Sequence, residues 1–433
     1  MFLFRIIKIS VLSFVFRQVD QIKTGGLVVF RRKIIRAITL FITMPLYPAA
    51  LPFVVIARFI KPFIQIRFGS IRSDVIGHLA FATEYYLSER DVDQSRTLDY
   101  FYYLYPILPN KHLPMMYKRV MKIHPLIKYC DRINRLLPGW EQHHVYLHGS
   151  PPRDTRNIFM RTPCHINFTN EEIYQGERYL KNIGLKADQN YVCMIARDPV
   201  YKNNFQNYIK KDWSYHSYRN SDIKNYVKAA ELLTRENYFV FRVGKGVSGK
   251  IETINNKIID YSNTEDRNDF LDIFLSANCS FFLDSCTGLS TVPNVYRVPI
   301  VFVNFAPMEY VYSWNSNIIT IFKKYWLKEE KRFMTFREIY VSGAGQYMRT
   351  DQYEKLGIEL IENTPDEILD ASFEMHRRLE GTWEPNHEDD ALQRRFWELF
   401  PKNGKTSDGR RLHGEIPARI GSKFLRENKK LLD

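Results

Sequence analysis

Residues 269–304 read DFLDIFLSANCSFFLDSCTGLSTVPNVYRVPIVFVN, and this stretch decides the fold class. Its first ten residues carry apolar side chains at helical spacing. CSFFLD (279–284) and VPIVFVN (298–304) are short apolar runs of the kind that parallel sheets bury. The same alternation begins upstream at YVCMIA (191–196) and YFVFRVG (238–244). Strand–helix–strand units of this length predict right-handed crossovers and a parallel sheet.

An earlier block alternates in the same way. PFIQIRFG (62–69) predicts a strand that ends at glycine, and IGHLAFATEYY (76–86) predicts a helix. DIKNYVKAAELLTR (222–235) predicts a helix of the later block, with Ser221 as its cap. We therefore predict an α/β chain with two domains, each built on a parallel sheet. The predicted domains are residues 61–185 and 186–345.

The last part of the chain, residues 346–433, is predicted to be helical with a basic tail that packs back on the first domain. Thr364-Pro365-Asp366-Glu367 forms a capping box with proline at the first helical position, and it opens a helix that runs to about Leu379. ALQRRFWELF (391–400) predicts a second helix.

The net charge of +14 lies at the two ends of the chain. Residues 1–72 hold twelve Lys and Arg against one acidic residue, and residues 402–433 hold nine against four, so the region between them is close to neutral. A nucleic-acid enzyme carries its basic residues around its working cleft, so this distribution argues against a nucleic-acid partner.

Five cysteines without a CxxC pair argue against a disulfide framework or zinc ribbon.

Residues 1–60 predict a membrane-associated segment. Residues 37–57 carry no charge over 21 positions, which is long enough for a helix to cross about 30 Å of hydrocarbon. Three prolines interrupt that run and basic residues flank both of its sides. We therefore expect peripheral or monotopic association with an anionic membrane surface, at the cytoplasmic face of the inner membrane. A buried helical hairpin is the alternative.

Loops after two strands predict a phosphate site. The strand at 279–284 ends in a small, hydroxyl-rich turn at 285–288, which precedes a short helix and can direct backbone N–H groups at an anion. Arg197 follows YVCMIA directly, and Arg219 lies in the loop before the next predicted helix. Two arginines at such positions can bind a pyrophosphate. The predicted phosphate-binding residues are Arg197, Arg219, Ser285, Thr287 and Gly288, with His216 and Lys245 elsewhere in the same cleft. An ordinary strand–helix turn, an ion pair between Arg197 and Asp198, and a loop cap by Arg219 are the alternatives.

The glycine loop at 244–249 has the GxGxxG spacing of a dinucleotide site, but the following KIETINNK (250–257) is short and polar. We therefore expect no nicotinamide or flavin cofactor.

The turn after the first strand carries Asp74 and His78, and either side chain could act as a general base toward a hydroxyl acceptor. A half-buried helix residue is the alternative for His78.

Two acidic motifs do not predict a metal site. Asp91-Val92-Asp93 follows a helix rather than a strand, and the HEDD sequence at 387–390 lacks a second histidine at helical spacing. No metal ligand is therefore predicted.

Residues 191–339 resemble a family of bacterial glycosyltransferases found with surface-polysaccharide genes. The stretches that carry the resemblance are IARDPVY (195–201), YHSYRNSDIKNYVKAAELL (215–233), YFVFRVG (238–244), IIDYSN (258–263), DFLDIFLSANCSFFLDSCTGL (269–289), VPIVFVNFAPMEY (298–310) and MTFREI (334–339), with IGHLAFATEYYL (76–87) in the first block. More distantly, Arg197 and the turn at 285–288 resemble the phosphate-contacting parts of GT-B fucosyl- and heptosyltransferases.

The resemblance implies a GT-B fold of two Rossmann-like domains facing a cleft, with a nucleotide-sugar donor in the second and an acceptor in the first. The expected reaction moves a sugar to a lipid-linked or surface-glycan acceptor, without metal and with the nucleotide sugar as co-substrate. A nucleotide-sugar epimerase and a non-catalytic membrane-bound assembly partner are the alternatives.

Overall fold

A computed structural model describes residues 2–147, 153–186, 188–201, 213–406 and 408–433. The chain forms two compact units. The smaller unit comprises Met1–Ser70, Arg96–Tyr102 and Ile123–Tyr146, and the larger unit comprises Ile71–Ser95, Tyr103–Lys122 and Leu147–Asp433.

Helices and strands alternate along most of the chain. The helices are α1 (Phe2–Thr43), α2 (Leu46–Phe59), α3 (Ile76–Asp93), α4 (His112–Val120), α5 (Ile127–Asn134), α6 (Asn170–Asn182), α7 (Val227–Arg235), α8 (Asp269–Asn278), α9 (Thr291–Val295), α10 (Phe336–Val341), α11 (Thr350–Glu354), α12 (Pro365–Leu379), α13 (Asp389–Leu399) and α14 (Ser422–Glu427). The strands are β1 (Gln65–Ile71), β2 (Thr97–Tyr103), β3 (Lys122–Ile123), β4 (His144–Val145), β5 (Asn190–Ile195), β6 (Tyr238–Arg242), β7 (Ile258–Ile259), β8 (Phe282–Asp284), β9 (Ile300–Phe305), β10 (Ile318–Phe322), β11 (Lys324–Leu327), β12 (Arg332–Phe333), β13 (Ile358–Ile361) and β14 (Arg419–Ile420).

The larger unit is built on a seven-stranded sheet with the strand order β14-β10-β9-β8-β5-β6-β7. Each neighbouring pair in this sheet runs parallel, which confirms the parallel sheet predicted from the apolar runs. Every residue of β6 and of β9 is buried, because helices such as α12 and α7 pack over the sheet. Strands buried on both faces explain why these segments are continuous apolar runs rather than alternating ones.

The register of the central strands brings three loops to one edge of the sheet. Ile195 of β5 lies beside Asp284 of β8, and Met194 lies beside Arg242 of β6. The loops that follow β5, β8 and β6 therefore leave the sheet next to one another, at the edge where open α/β sheets bind ligands.

Two features of the larger unit are absent from the sequence prediction. β11, β12 and β13 form a separate antiparallel sheet. The C-terminal tail adds β14 beside β10, while α12 packs against α7 and β9. The backbone N–H of Glu415 also donates to Asn157 Oδ1 at 2.9 Å, so the tail reaches residues of the predicted first domain as well.

Helix ends follow the sequence signals at one position and depart from them at another. Thr364 accepts from the Glu367 N–H in a capping box, which confirms the predicted start of α12. Ser221 does not cap the helix after β5. Asp222 caps a 3₁₀ turn at Ile223–Tyr226 that precedes α7, and the Ser221 hydroxyl lies 2.9 Å from that of Tyr226.

The smaller unit contains a four-stranded sheet with the order β3-β2-β1-β4. β1 and β4 pair in parallel, and β1 continues two residues beyond Gly69, where the sequence predicted its end. Gly69 serves close packing instead, because a Cβ atom there would lie 2.5 Å from Val145 Cγ1 of β4.

Helix α2 of the smaller unit is apolar on both of its faces. Val54 and Ala57 are buried against Phe68 of β1, whereas the side chains of Phe53 and Phe59 are 67% and 82% exposed. Among the described residues, no single helix has the length and hydropathy to cross a bilayer, but Val29–Thr43 and Leu46–Phe59, bent by 49°, meet that test as a pair.

Candidate functional site

The loops after β5 and β8 are joined directly. The backbone N–H of Arg197 donates to Ser285 Oγ at 2.7 Å, and Ser285 is buried. The backbone N–H of Ser221 in turn donates to the Arg197 carbonyl at 2.9 Å. These bonds fix the position at which the Arg197 side chain leaves the sheet edge.

The turn at residues 285–288 is held from beneath by Asp284. The Thr287 N–H donates to the two oxygens of the Asp284 carboxylate at 3.1 and 2.9 Å, and Asp284 is fully buried. Burial raises the pKa of Asp284 to about 6. Cys286 adopts a φ of 60°, a left-handed conformation that such a tight turn requires. The turn is therefore a rigid element.

This arrangement corrects one sequence expectation. The Thr287 N–H is occupied by Asp284, and α9 begins three residues beyond Gly288 and is only five residues long. The turn therefore does not present a helix N-terminus to a ligand.

Arg219 reaches the same turn from a 3₁₀ segment at Ser214–Arg219. Its Nη2 donates to the Cys286 carbonyl and lies 3.3 Å from Cys286 Sγ, while its buried Nε has no hydrogen-bond partner among the described residues. Burial and the charge of Arg219 together lower the pKa of Arg197 to about 9. Two guanidinium groups thus lie close enough to repel each other.

Neither arginine forms an ion pair with an acidic side chain in the part of the chain that the structure describes. Asp198, the partner that the sequence offered for Arg197, instead accepts from the Val200 N–H at 2.9 Å and from the Ser248 N–H at 2.8 Å. The two half-buried cations make this place a candidate anion site, and the buried Asp284 carboxylate lies within electrostatic range of both.

The glycine loop after β6 is fixed by internal bonds. Arg242 donates to the carbonyls of Ser248 and Gly249 at 2.8 and 2.9 Å. Lys245 is half-buried near Asp272, whose pKa burial raises to about 6 against the opposing charges of Arg267 and Lys245. Lys245 therefore lies within electrostatic range of an acidic side chain.

His216 lies in an aromatic cluster just before Arg219. Its ring stacks with Trp213 at 6.4 Å between centroids and contacts Tyr215 at 4.0 Å. The cluster positions the segment that carries Arg219.

Asp74 and His78 are connected through Arg72. Arg72 Nε donates to Asp74 Oδ1 at 3.0 Å, and Arg72 Nη1 lies 3.3 Å from His78 Nε2. Burial, followed by the charge of Arg72, lowers the pKa of His78 to about 4. The imidazole is therefore neutral at physiological pH, and its Nε2 lies within reach of a guanidinium donor.

Helix α3 brings these residues to the 285–288 turn. The two meet at glycines: a Cβ atom on Gly77 would lie 3.6 Å from the Gly288 carbonyl oxygen, and one on Gly288 would lie 3.2 Å from Ile76 Cγ2. α3 also packs along α9. Thus the candidate bases and the candidate anion site belong to the same compact unit.

Sequence reasoning missed the contacts through which Asp284 and Arg72 position other residues of this site. Asp284 was visible as a carboxylate at a strand end, and Arg72 as a basic residue two positions before Asp74. Their contacts could not be read from the sequence.

The two aspartates of Asp91-Val92-Asp93 have partners within the protein. Asp91 contacts His165 Nε2 at 2.8 Å, and Asp93 pairs with Arg156 at 2.7 Å. Within the described ranges, no group of three or more His, Cys, Asp or Glu is placed to hold a metal.

Comparisons with solved structures give distant likenesses, of which two are described here. No protein-family model and no curated protein matches the chain. A glycosyl transferase family 9 structure from Veillonella parvula is 10% identical, covers 72% of this chain and 97% of its own, and has a TM-score of 0.40. E. coli ADP-heptose LPS heptosyltransferase II is 10% identical, covers 73% and 100%, and has a TM-score of 0.37. At TM-scores this low, neither likeness assigns a function.

Proposed function

We propose that the chain is a GT-B glycosyltransferase that moves a sugar from a nucleotide-sugar donor to a lipid-linked or surface-glycan acceptor. The observation that carries the proposal is the convergence of Arg197 and Arg219, without carboxylate partners among the described residues, on the turn at 285–288. Paired guanidinium groups at the carboxyl edge of a parallel sheet suit a diphosphate. The motif resemblance over residues 191–339 points to the same reaction class.

The chemistry assigns each group a separate task. The bond between the anomeric carbon and the donor's phosphate oxygen breaks, while a bond to the acceptor oxygen forms. Arg197 and Arg219 stabilise the negative charge that develops on the departing nucleoside diphosphate. Asp74 or His78 takes the proton of the acceptor hydroxyl. These groups act without a metal or organic cofactor in the proposed reaction.

The smaller unit supports the proposal of a membrane-linked acceptor. It holds fifteen Lys and Arg against four acidic residues. Large apolar side chains of residues 16–63 are exposed beside these charges, including Phe63 at 92%. An exposed apolar face bordered by cations fits the interface of an anionic bilayer. We place the enzyme at the cytoplasmic face of the inner membrane.

An epimerase of the same fold would share the diphosphate site but would have no use for a membrane surface. A non-catalytic membrane partner would share the surface but would not turn over a nucleotide sugar. The following experiment separates both from a transferase.

A panel of nucleotide sugars is expected to contain one that stabilises the purified protein and is consumed by it. A donor at 100 times its Kd raises the free energy of unfolding by about 2.7 kcal/mol, because it binds only the folded state. Thermal unfolding across the panel, followed by assay of released nucleoside diphosphate, makes the measurement. A stabilising sugar that is epimerised rather than transferred or hydrolysed would favour the epimerase, and stabilisation by none would contradict the proposal.

Removing exposed phenylalanines from the smaller unit is expected to release the protein from membranes. The triple variant Phe53→Ser, Phe59→Ser, Phe63→Ser removes apolar area that is mostly exposed, so folding should be retained while binding to vesicles with anionic lipid falls at least tenfold. Co-sedimentation with such vesicles is the measurement. The matched control, Ile254→Ser with Val341→Ser and Leu379→Ser, removes exposed apolar residues of the larger unit and should bind as the parent does. Equal binding by both variants would show that α2 is not the membrane contact.

A further inference from the structure

A cavity of about 630 Å³ opens in the larger unit, apart from the loops that hold the arginines. Its walls come from the segment after β9, from residues around the end of α10, and from the turn after α13. Two acidic residues, Glu309 and Glu398, and one basic residue, Lys402, line it. The charge of the cavity is therefore low, and it does not suit a phosphate.

The cavity contains a buried carboxylate with one unused oxygen. Glu309 is 3% exposed, and its Oε2 accepts from Gln346 Nε2 at 2.7 Å. Its Oε1 accepts no hydrogen bond from any described residue. Gly345 leaves room for this oxygen, since a Cβ atom there would lie 2.7 Å from it. Burial raises the pKa of Glu309.

A second unused polar atom belongs to Tyr340. Its hydroxyl is buried without a hydrogen-bond partner in the described part of the chain, and its ring contacts Phe400 at 5.6 Å between centroids. A buried polar group left unpaired destabilises the folded state. The Tyr340 hydroxyl therefore marks a place where a bound molecule could complete the hydrogen bonding, with the Glu309 carboxylate in the same cavity wall.

The types of these groups select the ligand. A carboxylate oxygen needs a donor, and a phenol both donates and accepts. The Gln346 side chain adds an amide, and Phe400 and Tyr340 supply aromatic surface at the same wall. Sugar hydroxyl groups donate and accept, and the C–H face of a sugar ring is apolar. We propose that this cavity binds an uncharged sugar residue, an inference that rests on the proposed glycosyl transfer.

A short segment connects the cavity to the arginine site. Gln346 is followed within four residues by Thr350, whose hydroxyl accepts from the Tyr218 N–H at 3.2 Å. Tyr218 immediately precedes Arg219. A sugar in the cavity could thus belong either to the donor or to the acceptor, and the experiment below distinguishes the two sources.

The test compares Tyr340→Phe with Tyr103→Phe. Tyr103 is also a largely buried phenol, but its hydroxyl donates to the Pro114 carbonyl at 2.9 Å, so its loss should lower the free energy of unfolding. Tyr340→Phe removes a hydroxyl that has no such partner and should not lower it. Chemical denaturation of the protein without ligand measures both values. A clear destabilisation by Tyr340→Phe would show that the hydroxyl has a structural partner and would overturn the proposal.

Binding supplies the second readout. Tyr340→Phe should weaken a sugar ligand by roughly three- to tenfold, the effect of one hydrogen bond. Calorimetry measures binding of the donor nucleotide sugar and of its nucleoside diphosphate. Saturation-transfer NMR measures binding of free disaccharides. Weaker nucleotide-sugar binding with unchanged nucleoside-diphosphate binding identifies the donor's sugar, and weaker disaccharide binding identifies the acceptor's.

If Tyr340→Phe binds every sugar as the parent does, the proposal of a sugar site is overturned. It is also overturned if the parent protein binds spermidine at this cavity and binds no sugar. Either result leaves the diphosphate site unaffected, because nucleoside-diphosphate binding depends on Arg197 and Arg219. Failure of the proposed function would instead appear as absent nucleoside-diphosphate binding in the parent protein.

Discussion

Asp74→Asn or His78→Ala is expected to lower kcat by roughly 10²- to 10⁴-fold, the usual effect of removing a general base. Binding of the nucleoside diphosphate should stay within a fewfold of the parent, because the contacts of Asp74 and His78 are with Arg72 rather than with Arg197 or Arg219. Both residues are half-buried at the start of α3, so their replacement is compatible with folding. Initial rates and calorimetry on each variant make the comparison. The exposed His387→Ala is the matched control and should keep the parent rate.

The pH dependence of the rate tests the assignment of His78 as the base. The pKa of His78 is lowered to about 4, so the imidazole holds its catalytic, unprotonated form at every pH well above that value. If His78 is the base, kcat/KM should remain level from pH 8 down to about 5 and fall only below it. Arg72→Gln removes a charge that lowers this pKa and should move the acid limb to higher pH. Full turnover by both single variants would place the base elsewhere.

Arg197→Ala and Arg219→Ala are each expected to weaken binding of a nucleoside diphosphate by roughly 10- to 150-fold. The range corresponds to about 1.5–3 kcal/mol, the usual contribution of a hydrogen bond to a charged group. Calorimetric titration with nucleoside diphosphate is the measurement. Lys245→Ala should have a smaller effect, because Lys245 lies within electrostatic range of Asp272. Chelating agents should not reproduce the loss, since no metal is proposed to bridge the phosphates.

Two further variants separate binding from folding at this site. Arg219 also donates to the Cys286 carbonyl. If Arg219 binds the phosphate through its charge, Arg219→Lys should retain part of the affinity. If Arg219 only holds the turn, lysine should not restore the affinity. Gly288→Val should weaken binding as well, because a Cβ atom at Gly288 would lie only 3.2 Å from Ile76 Cγ2 and would move the turn. Unchanged affinity in both alanine variants would place the phosphate site elsewhere.

The large sheet could be predicted because its evidence is local. Runs such as YVCMIA are apolar at every position, and only a strand covered on both faces explains that pattern. The capping box at Thr364 is equally local. β14 and the antiparallel sheet of β11, β12 and β13 could not be predicted. Strands of two to four residues carry too little pattern, and their existence depends on partners that lie far away in the chain.

The candidate site, too, could be predicted from the sequence only in part. Arg197 and Ser285 follow apolar runs, and parallel strands place such residues at one edge, so their proximity follows from the sequence. The N–H groups of the turn were predicted to face a ligand, but one of them is taken by Asp284, whose orientation depends on burial. The contact of Arg72 with both Asp74 and His78, and the unpaired atoms of Glu309 and Tyr340, require three-dimensional packing to recognise.

The packing of α3 on α9 has a consequence for how the reaction would be assembled. Both candidate bases and both arginines belong to one compact unit, with Gly77 and Gly288 already in contact range. In the proposed reaction, these groups would therefore be preorganised before any substrate arrives.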